Sequence, residues 1–357
     1  MIENRIVVIP TYRNHFAYIK TLVQSWMHFS QDSSIPLFFI VSDKDELIEL
    51  NQLIMEIELK NYSILSIEDI LASYEIHISS TELLKKLGRF SYQTIKKLYA
   101  LYYLDYTQAL ILDSETIAVS SMQIQSLFSD YFSSPYVLYS VMPKDDSYKN
   151  WIDYKTSKNC AELLDFSFRQ EWYLEGFHWF YEKRIINDLF EFFDNDLFGT
   201  IYSHCERNTD DSEKAIFECV LYYTFVRKNN DTYRYRFIDA RNELAHILGK
   251  NCYEKLCNRM NDAGLGFLPF AIHSVEYANA SDLKKFSSFY RKYNIRIARV
   301  GCEANVIKPR AFKKICHLFR LRIVCATDRV NEKYKYTKQM YPPPHAISMG
   351  NFVHKAG

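Results

Sequence analysis

Apolar and polar positions follow two alternating periods along roughly the first 140 residues. Ile6, Val7, Val8 and Ile9 form a continuous apolar run stopped by Pro10, the pattern of a buried first strand. After a polar turn over 11–14, residues 15–29 set Phe16, Ile19, Leu22, Val23 and Trp26 on one stripe at helical spacing. The alternation then repeats, predicting a strand over 36–41, a helix over 46–58, a strand over 62–65 and a short helix over 68–74. A stronger helix is predicted over 89–104, with Ile95, Leu98, Tyr99 and Tyr102 on its buried side and Gln93 and Lys97 on the other. Strands over 109–112 and 136–141 follow. Such alternation predicts an α/β fold with a mostly parallel central sheet and helices on both faces.

Beyond residue 145 the pattern predicts an aromatic strand over 172–179 and a helix over 183–193. Residues 208–213 read as a helix start, with Asp210 and Glu213 at capping-box spacing, and the helix would run through Phe217, Val220, Leu221 and Phe225. Further strands are expected over 233–238 and 267–273, and a basic amphipathic helix over 308–321. There is no internal repeat. We expect one large domain over 1–300, in halves 1–145 and 146–300, followed by a helical, basic extension over 301–357.

Composition sharpens this picture. The 357 residues are 48% hydrophobic and 16% aromatic, ample for a core, while nine Gly and nine Pro leave little for flexible linkers. The 28 Tyr residues supply surfaces on which sugars or bases can stack, although Tyr also fills ordinary half-buried faces. No apolar run has membrane-spanning length, and the N-terminus enters its first strand without a signal-like segment, which predicts a cytoplasmic chain. Eight cysteines without a C-x-x-C pair predict reduced thiols in place of a disulfide frame or zinc site. Net charge is +1, yet residues 308–357 hold eleven Lys/Arg against two acids, so that tail carries +9 and the preceding body −8. Phe312, Ile315, Leu318 and Phe319 interleave with six Lys/Arg over 308–322. Two readings stand: a helix lying on anionic lipid, or a basic helix packed on the acidic body.

The candidate chemistry centres on Asp113-Ser114-Glu115, at the end of the fourth strand of the alternation. In extended chain, residues two apart point the same way, so both carboxylates can meet one hard cation, Mg²⁺ or Mn²⁺. The bland alternative is a strand ending in solvated acids. Thr11, Ser42 and Asp113 all fall at the carboxyl ends of predicted strands, where open parallel sheets bind ligands. Gln93 and Lys97 line either a ligand cleft or a solvated helix face. Trp172, His178 and Trp179 form either an acceptor platform or core, and His204 has a weaker claim to chemistry. No G-x-G-x-x-G follows the first strand, which disfavours a dinucleotide site.

Residues 9–14 (Ile-Pro-Thr-Tyr-Arg-Asn), the set Phe90, Gln93, Lys97 and Leu98 with residues 110–115 (Leu-Ile-Leu-Asp-Ser-Glu), and Ser212, Glu213 and residues 217–222 occur in that order. Together they resemble nucleotide-sugar-dependent glycosyltransferases of the GT-A fold, particularly bacterial members from capsule and surface-polysaccharide loci. The resemblance covers roughly residues 5–275. It implies a donor site from Pro10, Thr11, Tyr12, Arg13, Gln93, Lys97, Asp113 and Ser114, with Lys97 near phosphate. It further implies a divalent metal on Asp113 and Glu115 with a late histidine, His273, as an additional ligand. Glu218 or Glu213 would deprotonate the acceptor if the reaction inverts the anomeric centre. The family's usual third motif residue is Asp, so the longer Glu115 places the ion differently or holds it less firmly.

The implied partners are a nucleoside-diphosphate sugar and a saccharide acceptor, free or lipid-linked at the inner face of the cell membrane, with no nucleic acid. Two alternatives remain. A sugar nucleotidyltransferase would need a Gly-rich phosphate loop, and residues 11–14 have no Gly. A non-enzymatic carbohydrate- or nucleic-acid-binding protein would leave Asp113 and Glu115 dispensable.

Overall fold

The computed structural model describes residues 4–30, 34–114, 116–118, 122–142, 144, 146–173, 179–262, 292–293 and 297–299. Its first half runs β1 (Arg5–Pro10), α1 (Phe16–Phe29), β2 (Leu37–Val41), α2 (Lys44–Ile57), β3 (Tyr62–Ser66), α3 (Ile67–Ala72), α4 (Ser80–Tyr103) and β4 (Gln108–Ile111). These strands lie in the order β3-β2-β1-β4, all parallel. With β2 and β3 on one side of β1 and β4 on the other, the right-handed rule for parallel crossovers sets α1 and α2 on one face and α4 on the other. The order reverses between β1 and β4, which makes their carboxyl ends the switch point where such sheets open to ligands. All five residues of the predicted stripe on α1 are buried.

The remaining described elements are β5 (Thr116–Ala118), α5 (Ile124–Ser133), β6 (Tyr136–Val141), α6 (Ile152–Leu163), β7 (Glu171–Trp172), β8 (Trp179–Glu182), α7 (Lys183–Phe192), α8 (Leu197–Glu206), α9 (Glu218–Lys228), α10 (Asn230–Tyr233), β9 (Arg236–Asp239), α11 (Ala240–Leu248), α12 (Lys250–Asp262) and β10 (Ile297–Arg299). β8 extends the central sheet by pairing antiparallel with β4, while β7, β6 and β9 form a second sheet. β10 pairs antiparallel with β5. The architecture is therefore α/β with a mostly parallel central sheet, as the alternation predicts.

Four sequence expectations change, among them the strand over 233–238, which begins only at Arg236 because Tyr233 ends α10. The aromatic strand over 172–179 is two short strands in different sheets: Trp172 pairs opposite Ser140 of β6, and Trp179 opposite Ile111 of β4. The helix expected from 208–213 begins only at Glu218. Asp210 instead closes a turn, accepting from Ser212 N at 2.7 Å. Tertiary hydrogen bonds keep the following segment out of a helix. Ser91 of α4 donates to Lys214 O (2.6 Å) and accepts from Ile216 N (3.1 Å), and Thr94 donates to Ile216 O at 2.5 Å. The long helix α4 also starts nine residues earlier than predicted, at Ser80, and is broken at Gly88 (φ 72°, ψ 168°). That conformation is open essentially only to glycine, and a Cβ there would lie 3.0 Å from Asp211 Oδ1.

Glu115, His178, His273 and the basic segment 308–322 lie outside the described residues. Among the described residues, no helix is long and apolar enough to cross a membrane. The described cysteines, 160, 205, 219 and 252, are free thiols.

Candidate functional site

The predicted ligand positions converge at the carboxyl ends of β1, β2 and β4. Thr11 follows β1 directly and is 2% exposed, and its amide donates to Ile40 O of β2 at 2.8 Å. Ser42 follows β2, and Asp113 follows β4 after one buried leucine. Pro10 closes β1, Tyr12 is half-buried and Arg13 exposed, its Nε reaching Glu49 at 2.7 Å. Ser114 is buried and its Oγ lies 2.6 Å from His15 Nδ1. The His15 ring in turn rests 4.2 Å from that of Tyr12, so the turns after β1 and β4 are tied side to side.

Lys97 occupies the centre. The helical pattern puts it opposite the apolar stripe, on a face open to solvent, yet it is only 5% exposed. Its Nζ sits 3.0 Å from Asp113 Oδ1 and 2.7 Å from Glu218 Oε1, and 5.5 Å from the Trp179 ring centroid. Burial disfavours the ammonium, but Asp113 and Glu218 more than offset this, and the Lys97 pKa is raised. Glu218, 4% exposed, opens α9, where unpaired backbone amides and the helix dipole favour a carboxylate. A buried carboxylate and a buried ammonium thus answer each other at the foot of Asp113. Gln93 is half-buried one turn earlier.

The solvated-face alternative for Lys97 fails because α4 packs on two sides. Ser91, Tyr92, Thr94, Ile95, Lys96, Lys97, Leu98, Tyr99, Ala100 and Leu101 are all buried. The continuous apolar and aromatic run over 98–104 that follows both lysines is the signal that would have indicated this, since a helix buried all round loses its polar face. Sequence reasoning also missed Lys96, 3% exposed, whose Nζ donates to Thr11 O at 2.6 Å and lies 3.4 Å from Ser42 Oγ. Burial pulls its pKa down to about 7, against the opposing pull of Glu46 and Asp43.

Other expectations lie apart from this centre. Glu213 pairs with Lys155 at 2.7 Å, beside the Ser91 end of α4. His204 is buried against Glu213 O at 3.2 Å, and burial lowers its pKa. Trp172 is buried in the second sheet, its ring 5.8 Å from Phe217, as core packing requires. Trp179 is also buried but stands over Lys97. Asp113 is the single expected metal ligand within the described residues, and among these no group of three or more His, Cys, Asp or Glu side chains is arranged to hold an ion.

A family model described as a family of unknown function (DUF6492) matches residues 7–153, from β1 to the start of α6. No curated protein matches the chain. Among solved structures the chain is similar to mouse xyloside xylosyltransferase 1 in its apo form, with 9% identity, a TM-score of 0.37, and coverage of 66% of this chain and 84% of that one. It is also similar to the apo WbbM bifunctional glycosyltransferase (13% identity, TM-score 0.32, 54% of this chain and 35% of that one). An active-site mutant of LgtC gives 11% identity, a TM-score of 0.37, and 66% and 73% coverage.

Proposed function

We propose that this chain is a nucleotide-sugar-dependent glycosyltransferase that transfers a sugar from a nucleoside diphosphate to a saccharide acceptor, free or lipid-linked. The observation that carries this reading is the ion triad of half-buried Asp113 with buried Lys97 and Glu218 at the carboxyl end of β4, beside the ends of β1 and β2. It sits where the strand order reverses, and its members come from two of the three segments that carry the resemblance to GT-A enzymes, with the third, residues 9–14, at the end of the neighbouring β1.

In this reading residues 10–13 take the nucleotide, and Asp113, Ser114, Gln93 and Lys97 line the diphosphate side. Asp113, with Glu115 and His273, would hold Mg²⁺ or Mn²⁺. Such an ion, when bound, neutralises charge on the departing diphosphate. Lys97, held by two carboxylates, fixes the direction of the Asp113 side chain and balances the charge of the buried acids. An inverting reaction needs a base for the acceptor hydroxyl. Glu218 lies across Lys97 from Asp113 and is the nearer candidate. Glu213 is more exposed but sits beside Ser91, about 9 Å along α4 from Lys97 at 1.5 Å per residue. A surface-polysaccharide pathway and contact of residues 308–322 with the inner membrane face belong to the same proposal and follow from the resemblance and the basic tail.

The test is thermal stability against a panel of nucleoside diphosphates and nucleotide sugars, with and without Mn²⁺. A ligand that binds only the folded chain raises Tm through mass action. A shift with one nucleotide, lost in Asp113→Asn while the unliganded Tm stays within a few degrees, supports the reading. No shift with any nucleotide refutes it.

A further inference from the structure

We propose that Trp151 is the platform of a saccharide subsite: its exposed ring stacks on one sugar of the acceptor chain, while Lys155, Ser212 and Glu213 bond the hydroxyls at that sugar's rim. Naming the sugar as part of an acceptor rests on the glycosyltransferase reading above, whereas saccharide binding at Trp151 stands on the surface itself.

Of the four Trp residues, 26, 172 and 179 are buried and Trp151 is 43% exposed. Its ring is held in place. The indole lies 17° from parallel to the Tyr148 ring with centroids 5.4 Å apart, so Tyr148 backs one face and the exposed area lies on the rest of the ring. Tyr148 is itself buried, and its hydroxyl donates to the Asp153 carboxylate, buried in the first turn of α6. Trp151 is the N-cap of the same helix, and its carbonyl accepts from Lys155 N at 3.1 Å. Indole, phenol and acid thus form one pre-set unit at a helix end, which lowers the ordering cost when a ligand settles on it.

The neighbours decide what settles there. Lys155, one turn along α6, reaches Ser212 Oγ and a Glu213 oxygen, each at 2.7 Å. The Glu213 side chain is 46% exposed, and a carboxylate can accept further hydrogen bonds. An aromatic face beside a hydroxyl and a carboxylate matches a pyranose, whose C–H face is apolar and whose rim carries hydroxyls. Because Glu213 neutralises Lys155, this row holds no surplus positive charge for a phosphate or a nucleic acid strand. Exposed Lys149 and Asn150 precede the ring, so it stands among polar groups and lacks the apolar core of a protein interface.

Contacts along α6 place this surface relative to the ion triad. Asn159 Nδ2 donates to Ala215 O, just before α9, at 3.0 Å, and Lys228 Nζ, at the end of α9, donates to Leu164 O at 2.6 Å. The two helices therefore run side by side in one direction. Traced back from Asn159 to Trp151, α6 continues outward past the start of α9 for about 12 Å at 1.5 Å per residue. That separation suits a sugar several units away from the one that reacts, which makes the acceptor class an oligosaccharide.

Trp151 supplies its own readout, because acrylamide in water reaches it while the three buried indoles are shielded. Fluorescence quenching is measured on the full chain with oligosaccharides of glucose, galactose, mannose and N-acetylglucosamine, and with the corresponding methyl glycosides. At least one oligosaccharide is expected to protect Trp151, more strongly than its methyl glycoside does. Calorimetric titration of that oligosaccharide should give a Kd at least about tenfold higher in W151A, the scale of losing a tryptophan anchor, with most of the affinity kept in W151F. Near-UV circular dichroism checks that each variant is folded, and protection of the wild-type ring stands without either variant. Protection by none of these saccharides, or W151A binding as the wild type does, overturns the proposal. Sedimentation in which the wild type self-associates and W151A does not overturns it too, since the ring then faces a second copy of the chain. Saccharide protection with no response to any nucleoside diphosphate supports the subsite and overturns the glycosyltransferase reading. A nucleotide response without saccharide protection overturns the subsite alone.

Discussion

Replacing Lys97 by Met removes a charge of the centre while keeping most of the side chain's volume. Lys97 Nζ lies 3.0 Å from Asp113 and 2.7 Å from Glu218, with the three side chains 7%, 15% and 5% exposed. At an effective dielectric constant of ~20, each attraction is on the order of 5 kcal/mol before desolvation is subtracted. Desolvation of all three ions offsets most of that in the intact triad, but the variant keeps the two acids and loses their counter-ion. Breaking a buried pair from one side typically costs about 3–5 kcal/mol. Against the total stability of about 5–15 kcal/mol expected for a folded domain, most of the K97M population should remain folded. Equilibrium denaturation in guanidinium chloride, monitored by near-UV circular dichroism, measures the loss. K97M/E218Q should recover part of it, because the second change neutralises the acid left behind, with a coupling on the order of 2 kcal/mol. A K97M loss below about 1 kcal/mol, the range of exposed pairs, or strict additivity in the double variant, would refute the description of this centre.

Three further outcomes are expected. The folded pKa of Lys96, about 7, lies below the ordinary lysine value of 10.5. The folded chain therefore binds fewer protons over that window, and stability gains from Lys96 as pH rises from 7 towards 10.5, by at most ~1.4 kcal/mol per pH unit. K96M should flatten this rise relative to wild type in denaturation curves between pH 6 and 9, and an unchanged slope would refute the burial. G88A should cost about 1–3 kcal/mol in the same assay because of its backbone conformation, and a neutral result would mean that α4 runs straight. S91A removes both a donor to Lys214 O and an acceptor for Ile216 N. It should cost about 1–3 kcal/mol and speed amide exchange at Ile216, with unchanged exchange refuting its role in holding residues 213–216.

Local periodicity alone determined the first half of the fold. Each of its strands is a short apolar run, each helix carries a 3.6-residue stripe, and β1, α1, β2, β3, β4 and β6 fall within two residues of their predicted ends. The same local reading put Thr11, Ser42 and Asp113 at carboxyl ends of strands, because a strand's last residue is marked by the polar residue or proline that stops it. Where partners come from distant chain, local reasoning lost its hold. Residues 210–213 look like a helix cap by spacing, but Ser91 and Thr94 claim the hydrogen-bonding groups just beyond and delay the helix to Glu218. Lys97 looks solvated on a helical wheel, but Glu218, 121 residues later, follows it into the interior. Lys96 is likewise legible only once Thr11 lies beside it. The sequence by itself determined which segments bury an apolar face and where the strands stop, since that depends on neighbours within one or two turns. Tertiary structure alone decided which charges enter the interior, because a buried ion is tolerable only where a counter-ion or carbonyl from another part of the chain comes within hydrogen-bond reach.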